Sequence, residues 1–271
     1  MAKSRRAEYD AAQKRRSLII ASASTSCAVL ALIILVPMTP GWEKVQKSFF
    51  NSAVLYKSFP KLLEAFKINA MIFAWSAPAI AFLGLLVALA RSVNSPALFP
   101  LKVFSAIFTD IFRGVPIILT VYLIGFGIPG LGLPRPWNSP YIWGSLALVL
   151  TYSAYVAEIF RSGIDSVHKS QRAAALSLGL TERQVMRDVI LPQAIRNVIP
   201  SQMNMLIALQ KDVSLLSFIG PVEIFRQAGV FKSLLANFTP YVGAAIIFLA
   251  ITVPATRYAD YLMARQSRER Q

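Results

Sequence analysis

Residues 68–90 read INAMIFAWSAPAIAFLGLLVALA, a run without one formal charge. A hydrocarbon core of about 30 Å is crossed by roughly 20 apolar residues in a helix. The run therefore reads as a membrane-spanning helix, and the rest of the chain repeats the pattern. Leu18–Val36, Gly114–Pro134, Pro136–Ala157 and Ser233–Thr256 are also uncharged. A sixth run is interrupted: Asn197–Gln210 is uncharged, Lys211-Asp212 follows, and Val213–Val222 resumes. The expected fold class is all-α, a polytopic transmembrane helix bundle of six spans.

Composition points the same way. Hydrophobic residues make up 55% of the chain and charged ones 15%, against roughly 25% charged in a soluble domain. Mean hydropathy is +0.54. The net charge of +15 would suit nucleic acid if it formed one continuous face. It lies instead in short clusters between apolar runs, as the positive-inside rule expects of cytoplasmic loops. No nucleic-acid recognition motif is present, so nucleic acid is not an expected partner. Cys27 and His168 are each the sole residue of their type, so no disulfide or Cys/His metal site can form within the chain.

Residues 1–17 form a basic tail carrying Lys3, Arg5, Arg6, Lys14, Arg15 and Arg16. The apolar run that follows is longer than a secretory h-region and lacks an A-x-A cleavage site before Pro37 and Pro40. Residues 18–38 are therefore expected as a retained, extra N-terminal transmembrane helix. With the tail placed inside, residues 91–113, 161–196 and the segment after Tyr261 are inside too. The inner segments hold 18 Lys and Arg against eight outside. That bias predicts cytoplasmic termini at both ends, the last being the tail 266–271. The outer segment 41–67 still carries five lysines. It sets Trp42, Val45, Phe49 and Ala53 at helical spacing, with Lys44, Lys47 and Asn51 on another face, which predicts an amphipathic helix in the outer interface. Pro78, Pro116, Pro192, Pro200 and Pro254 fall in or beside apolar runs and predict bends.

One cytoplasmic stretch carries more information. Gln171–Pro192 reads QRAAALSLGLTERQVMRDVILP. Residues 171–178 are good helix formers and Gly179 is a natural left-handed stop. Thr181-Glu182-Arg183-Gln184 has the form of a capping box and opens a second helix that reaches Leu191-Pro192. The first helix is too short to stand alone in water. Its Ala173-Ala174-Ala175 face would let another surface come close. On local physics this is a helix–turn–helix between spans.

The same stretch resembles the EAA loop of bacterial ABC import permeases, E-A-A-x-x-x-G-x9-I-x-L-P. Gly179, Leu191 and Pro192 set the spacing, Val189 takes the isoleucine position and Ala174-Ala175 the alanines. Ala173 stands where the family usually has glutamate. Three further segments are similar to the amino-acid branch of that family. Ile111-Phe112-Arg113-Gly114-Val115-Pro116 resembles its F-R-G-T-P run. Ala154–Gly163 (AYVAEIFRSG) resembles A-Y-x-A-E-I-x-R-G-G, and Ala208–Leu215 (ALQKDVSL) resembles L-K-D-T-S-L. The resemblance covers residues 62–265 and leaves the Leu18–Val36 helix outside the usual five-helix core.

The resemblance implies a five-helix permease core over 68–265 with a cytoplasmic coupling loop at 162–192, set in the lipid of a bacterial inner membrane. It implies pairing with a second permease copy or paralogue, docking of a cytoplasmic ATPase dimer on the loop, and delivery of an amino-acid-like solute by an external solute-binding protein. It makes Ala173, Ala174, Ala175, Gly179, Leu191 and Pro192 the coupling residues. The chain has no G-x-x-x-x-G-K-[ST] run, so no cofactor is expected on it. ATP and Mg²⁺ would belong to the partner ATPase.

Ionisable residues inside spans are costly and are functional candidates. Asp110, Arg113, Glu158, Lys211, Asp212, Arg257 and Asp260 qualify. Arg257 and Asp260 lie near an inner end, where snorkelling accounts for them. Arg113 and Glu158, near inner ends beside Gly114 and Pro116, fit either a structural ion pair or a gate. Lys211 and Asp212 point about 100° apart on a helix and must find different surroundings. With Asn204, Gln210 and Ser214 they form a candidate solute path, a zwitterion needing groups of both signs. A purely structural role in the bundle or dimer is the other reading.

Two other classes bear on the same sequence. A membrane-embedded enzyme needs paired carboxylates or a nucleophile beside a base, and none stands out; His168 beside Lys169 reads as a loop residue. A scaffold or ion-gradient-driven secondary transporter would need neither an ATPase nor a coupling helix.

Overall fold

The computed structural model describes residues 2–92 and 96–268, with side chains described for 13–92 and 96–265. The side chains of Lys3, Arg5 and Arg6 in the basic tail and of the tail 266–271 lie outside the described residues. Among the described residues every regular element is helical. The chain divides into two compact units, Met1–Ser52 and Ala53–Gln271.

The first unit holds α1 (Ala2–Leu35) and α2 (Trp42–Phe49). Gln13–Leu35 of α1 is long and apolar enough to cross a membrane, and none of its most apolar window is buried in the protein. The hydroxyls of Ser22, Ser24 and Thr25 donate to carbonyls one turn back at 2.5, 3.0 and 2.8 Å, which satisfies them in a lipid setting. In α2, Glu43 and Lys47 pair across one turn at 2.5 Å.

The expected amphipathic helix over 41–67 is divided. α2 stops before Phe50, whose φ of −127° and ψ of 40° are not helical. Residues 52–67 instead belong to α3 (Ser52–Ser92). The cause is visible in α3's buried seam. Ser58, Leu62, Ala65, Asn69, Ile72, Ser76, Ile80, Gly84 and Ala88 follow one another at three- and four-residue steps. One stripe runs through both parts, so the helix has no reason to stop between them. Its 41 residues make about 60 Å of helix at 1.5 Å per residue.

The second unit continues with α4 (Phe99–Gly114), α5 (Ile117–Gly127) and α6 (Pro140–Asp165). The segment expected to couple follows as α7 (Lys169–Ser177) and α8 (Glu182–Gln184), and the bundle closes with α9 (Leu191–Asp212), α10 (Ile224–Leu235) and α11 (Thr239–Arg268). At the centre is α6, buried at Ala147, Ser153, Ala154 and Ala157 among others. These small side chains let neighbouring backbones come close, as membrane helix pairs require. Ile72 and Ile80 of α3, Val121 of α5, and Leu209 of α9 fill the core against Leu148, Val149, Tyr152 and Val156. A second cluster joins Leu62 to Ile224, Ala228, Ala244 and Ile247, tying α3 to α10 and α11.

The expected count of six spans depends on how two bent helix pairs are counted. Four helices qualify alone, and six are reached only if two bent pairs each count as one span. The first pair, Pro96–Gly114 with Ile117–Leu131, bends by 107°. Val115 is extended at ψ 131° before Pro116, as the proline ring demands of the residue preceding it. So the uncharged run 114–134 is not one span, and residues 99–113, placed within an inner segment, are helix α4 with Ser105 and Thr109 buried. The second pair, Glu182–Ile219 with Ile224–Leu235, bends by 51° at Gly220, φ 128°. The run expected from Ser233 to Thr256 is likewise divided, because α10 ends at the left-handed Ala236 and α11 starts at Thr239. Before that bend, Val213–Ile219 tightens into a 3₁₀ turn whose Ile219 Cδ1 fills the space beside both Gly125 and Gly144.

Candidate functional site

The expected coupling loop is built by local hydrogen bonding. His168 Nδ1 accepts from the backbone N–H of Ser170 at 3.2 Å and caps α7. At the other end the N–H of Leu180 reaches the Ala175 carbonyl at 3.3 Å and that of Gly179 the Leu176 carbonyl at 3.0 Å. These two bonds are a Schellman turn, and Gly179 sits at φ 83° as such a turn requires. Thr181 and Gln184 then form the reciprocal capping box. Arg172 and Glu182 pair across the turn at 2.8 Å.

Two expectations for this loop change. Ala173 and Ala174 are exposed, but Ala175 is buried with Val167, Val185, Ile190 and Ala194 in the loop's own core. It packs inside the helix pair and not on the exposed face with the other two. The second helix also does not stop at Leu191-Pro192. Val185–Ile190 widens into a π-helical stretch and the chain runs on through Pro192 to Asp212. The wider turn accommodates a proline that has no N–H to give, and Gln193 Nε2 donates to the Val189 carbonyl at 3.0 Å.

Above the loop, Glu158 of α6 is the centre of an ion cluster. Its carboxylate meets Arg91 Nη1 at 2.7 Å, Arg161 Nε at 3.0 Å and Arg113 Nη1 at 3.6 Å. Arg161 also reaches Asp165 at 2.8 Å. The cluster thus ties the ends of α3 and α4 to α6 one turn before the coupling loop. Arg113 is the loosest member, 42% exposed at the side chain and lying over the Tyr155 ring at 5.9 Å. It faces a cleft of about 480 Å³ lined also by Tyr155, Glu158, Ser162, Asn197 and Ser201. Gly114 and Pro116 lie beside it at the 107° bend.

The α9 candidates separate by direction. Asn204 and Lys211 are exposed, seven residues apart on one face with Asn197 and Ser201. Lys211 has no ion-pair partner among the described residues. Asp212 turns toward α6, where the Tyr152 hydroxyl donates to Oδ2 at 2.8 Å. Gln210 turns toward α11 and accepts from Thr252 Oγ1 at 3.1 Å. Ser214 Oγ accepts from Asn69 Nδ2 at 3.4 Å. The same amide donates to the fully buried Glu223 at 3.0 Å, while Asn69 Oδ1 accepts from the Ile224 N–H at 3.1 Å. Glu223 further accepts from the N–H groups of Phe225 and Arg226. Asp110, Arg257 and Asp260 are exposed and join none of these groups.

Sequence reading thus brings Arg113 to Glu158 and misses Arg91, Arg161, Tyr152, Asn69 and Glu223. Only Arg161 carries a signal in the sequence, three residues after Glu158 on one helical face.

Comparison with known proteins places these features in a wider set. A family model described as binding-protein-dependent transport system inner membrane component matches residues 80–268. A probable amino-acid permease protein of Bacillus subtilis is 36% identical over 201 residues, covering 73% of this chain and 88% of the relative. A probable glutamine ABC transporter permease protein of the same organism is 32% identical over 216 residues, covering 79% and 97%. A crystal structure of an amino acid ABC transporter with histidines aligns at TM-score 0.73 with 30% identity, covering 79% of this chain and 98% of that one. A methionine ABC transporter in an inward-facing conformation, 13% identical at TM-score 0.58, shares the fold.

Proposed function

Because the chain belongs to the family of binding-protein-dependent transport system inner membrane components, we propose that it lines the path of an ABC importer for polar amino acids or related solutes. It pairs with a second copy or a paralogue, receives solute from an external binding protein, and takes its energy from a cytoplasmic ATPase. The chain itself is non-catalytic, and ATP with Mg²⁺ is handled by that ATPase. Both termini and the coupling loop are cytoplasmic.

The observation that carries this reading is the polar face of α9. Asn197, Ser201, Asn204 and Lys211 recur at helical spacing along α9, and Asn204 and Lys211 are exposed in the protomer. A lysine facing lipid at mid-membrane costs about 2.5–3.5 kcal/mol or more. That face is better satisfied by water or by a facing permease copy, which is what a shared path supplies. The cleft beside Arg113 opens on the same helix, one and two turns below, at Ser201 and Asn197.

The test is ATP-dependent uptake by proteoliposomes holding permease, ATPase and binding protein, against a panel of acidic, neutral and basic amino acids. Asp212→Asn should abolish uptake more than it lowers assembled complex, and Lys211→Met should reduce uptake or alter the solutes accepted. Normal uptake per complex in both variants would remove these residues from the path.

A further inference from the structure

The coupling loop has an uneven surface. Its most prominent apolar group is Leu178, 81% exposed, with Leu176 beside it and the exposed Ala173 and Ala174 on the same short helix. A leucine that far out in an aqueous loop has about 1.5–3 kcal/mol to gain from being covered.

The charges around it are one-sided. α7 holds Lys169 and Arg172 and no acid, since Ala173 occupies the position where the EAA pattern carries glutamate. Each carboxylate of the region already has a cation at hand. Asp165 is held by Arg161 at 2.8 Å, Glu182 by Arg172 at 2.8 Å, and Asp188 lies 3.7 Å from its neighbour Arg187. Lys169 and Arg183 have no carboxylate partner among the described residues, and both are exposed. Residues 166–190 carry four cationic side chains against two acidic ones. A partner reading this surface meets an apolar knob and unpaired positive charge.

We propose that the ATPase partner receives this loop in an apolar cleft, closed around Leu178 and rimmed by carboxylates that face Lys169 and Arg183. The proposal rests on the permease reading and adds the chemistry of the docking partner. The Arg172–Glu182 pair is part of the device. By pairing Glu182 it offsets the acid nearest the turn, as Arg187 lies beside Asp188, and it braces the turn that presents Leu178. Complementary rims of this kind set partner choice and encounter rate more than total affinity, so an ATPase with a basic rim would be rejected.

The experiment uses the full-length tagged permease in detergent with the ATPase that co-purifies with it. Binding is measured at low and high salt. Lys169→Glu and Arg183→Glu together should weaken low-salt binding about tenfold, as two reversed exposed pairs would, and high salt should erase most of that difference. Ala173→Glu should weaken binding in the same direction. Substituting the carboxylates of the ATPase rim by lysine should restore binding to the double variant. Leu178→Asp should abolish docking at any salt, with an unchanged gel-filtration profile of the permease. Wild-type docking by Leu178→Asp would overturn the loop as the docking element, and with it the permease reading of this stretch. Lost docking in Leu178→Asp, with salt-independent binding and tighter docking by Ala173→Glu, would leave that reading standing and overturn the acidic rim.

Discussion

Tyr152 and Asp212, sixty residues apart in the chain, are joined by a hydrogen bond of 2.8 Å from phenol to carboxylate. The bond separates two neighbouring charges. It draws the Asp212 carboxylate toward α6 at the point where α9 tightens into its 3₁₀ turn, and Lys211 stays on the exposed face. Neighbouring residues on a helix point about 100° apart, and these two charges accordingly have different surroundings.

Tyr152→Phe should therefore release Asp212 without opening a cavity. A hydrogen bond to a charged group contributes about 1.5–3 kcal/mol, so thermal unfolding of the purified complex should move measurably downward. Uptake per assembled complex should fall further than in a control such as Tyr155→Phe, whose hydroxyl makes only a 3.5 Å contact with a carbonyl. Equal uptake in the two variants would show that the orientation of Asp212 does not matter to transport.

The ion cluster gives a second expectation. Neutralising Glu158 leaves Arg91 and Arg113 without a carboxylate partner among the described residues, while Arg161 keeps Asp165, and breaking a partly buried pair from the acid's side is costly. Glu158→Gln should lower assembly of folded permease by more than Arg113→Met, because Arg113 is 3.6 Å away and half-exposed. Arg113→Met should keep its stability and lose transport. Fluorescence-detected gel filtration with uptake on the surviving complex separates the two; equal destabilisation by both would make Arg113 structural.

Gly179 is the third. Its φ of 83° is closed to β-branched residues, although nothing lies within 4 Å of an added Cβ. Gly179→Val thus acts on the backbone alone. Membrane insertion should be normal, with ATPase docking and ATP-driven uptake lost. Retained docking would mean that the Schellman turn is dispensable.

Orientation is the fourth. Cysteines placed at Lys3 and Gln271 in a Cys27→Ser background should resist an impermeant thiol reagent in intact cells and react after lysis. Labelling of either in intact cells would reverse the assignment of inside and outside.

What the sequence makes legible follows from the range of the forces concerned. Loss of charge over about 20 residues marks a span because solvation acts on each residue separately. The turn at Gly179 and the capping box at Thr181 close within ten residues, so propensity and spacing foretell them. The break at Val115–Pro116 escapes hydropathy, because an uncharged run scores alike whether straight or bent; Pro116 announces a bend but not one of 107°. Helix α4 escapes for the converse reason: Lys102, Asp110 and Arg113 disguise a segment that buries Ser105 and Thr109. The least legible contacts are those of longest separation. Arg91 reaches Glu158 across 67 residues and Asn69 reaches Glu223 across 154, and no local pattern announces either.

Ile219 meets two glycines at once, Gly125 on α5 and Gly144 on α6. A methyl group gained at either glycine meets the end of the isoleucine side chain, which must turn away or shorten to admit it. Size at the three positions is therefore coupled. Among divergent relatives, alanine at 125 or 144 should accompany a smaller residue at 219. Gly144→Ala should damage this chain by itself and be rescued by Ile219→Val or Ile219→Ala. Shape at the foot of the 51° bend is thus a heritable unit shared by three distant codons.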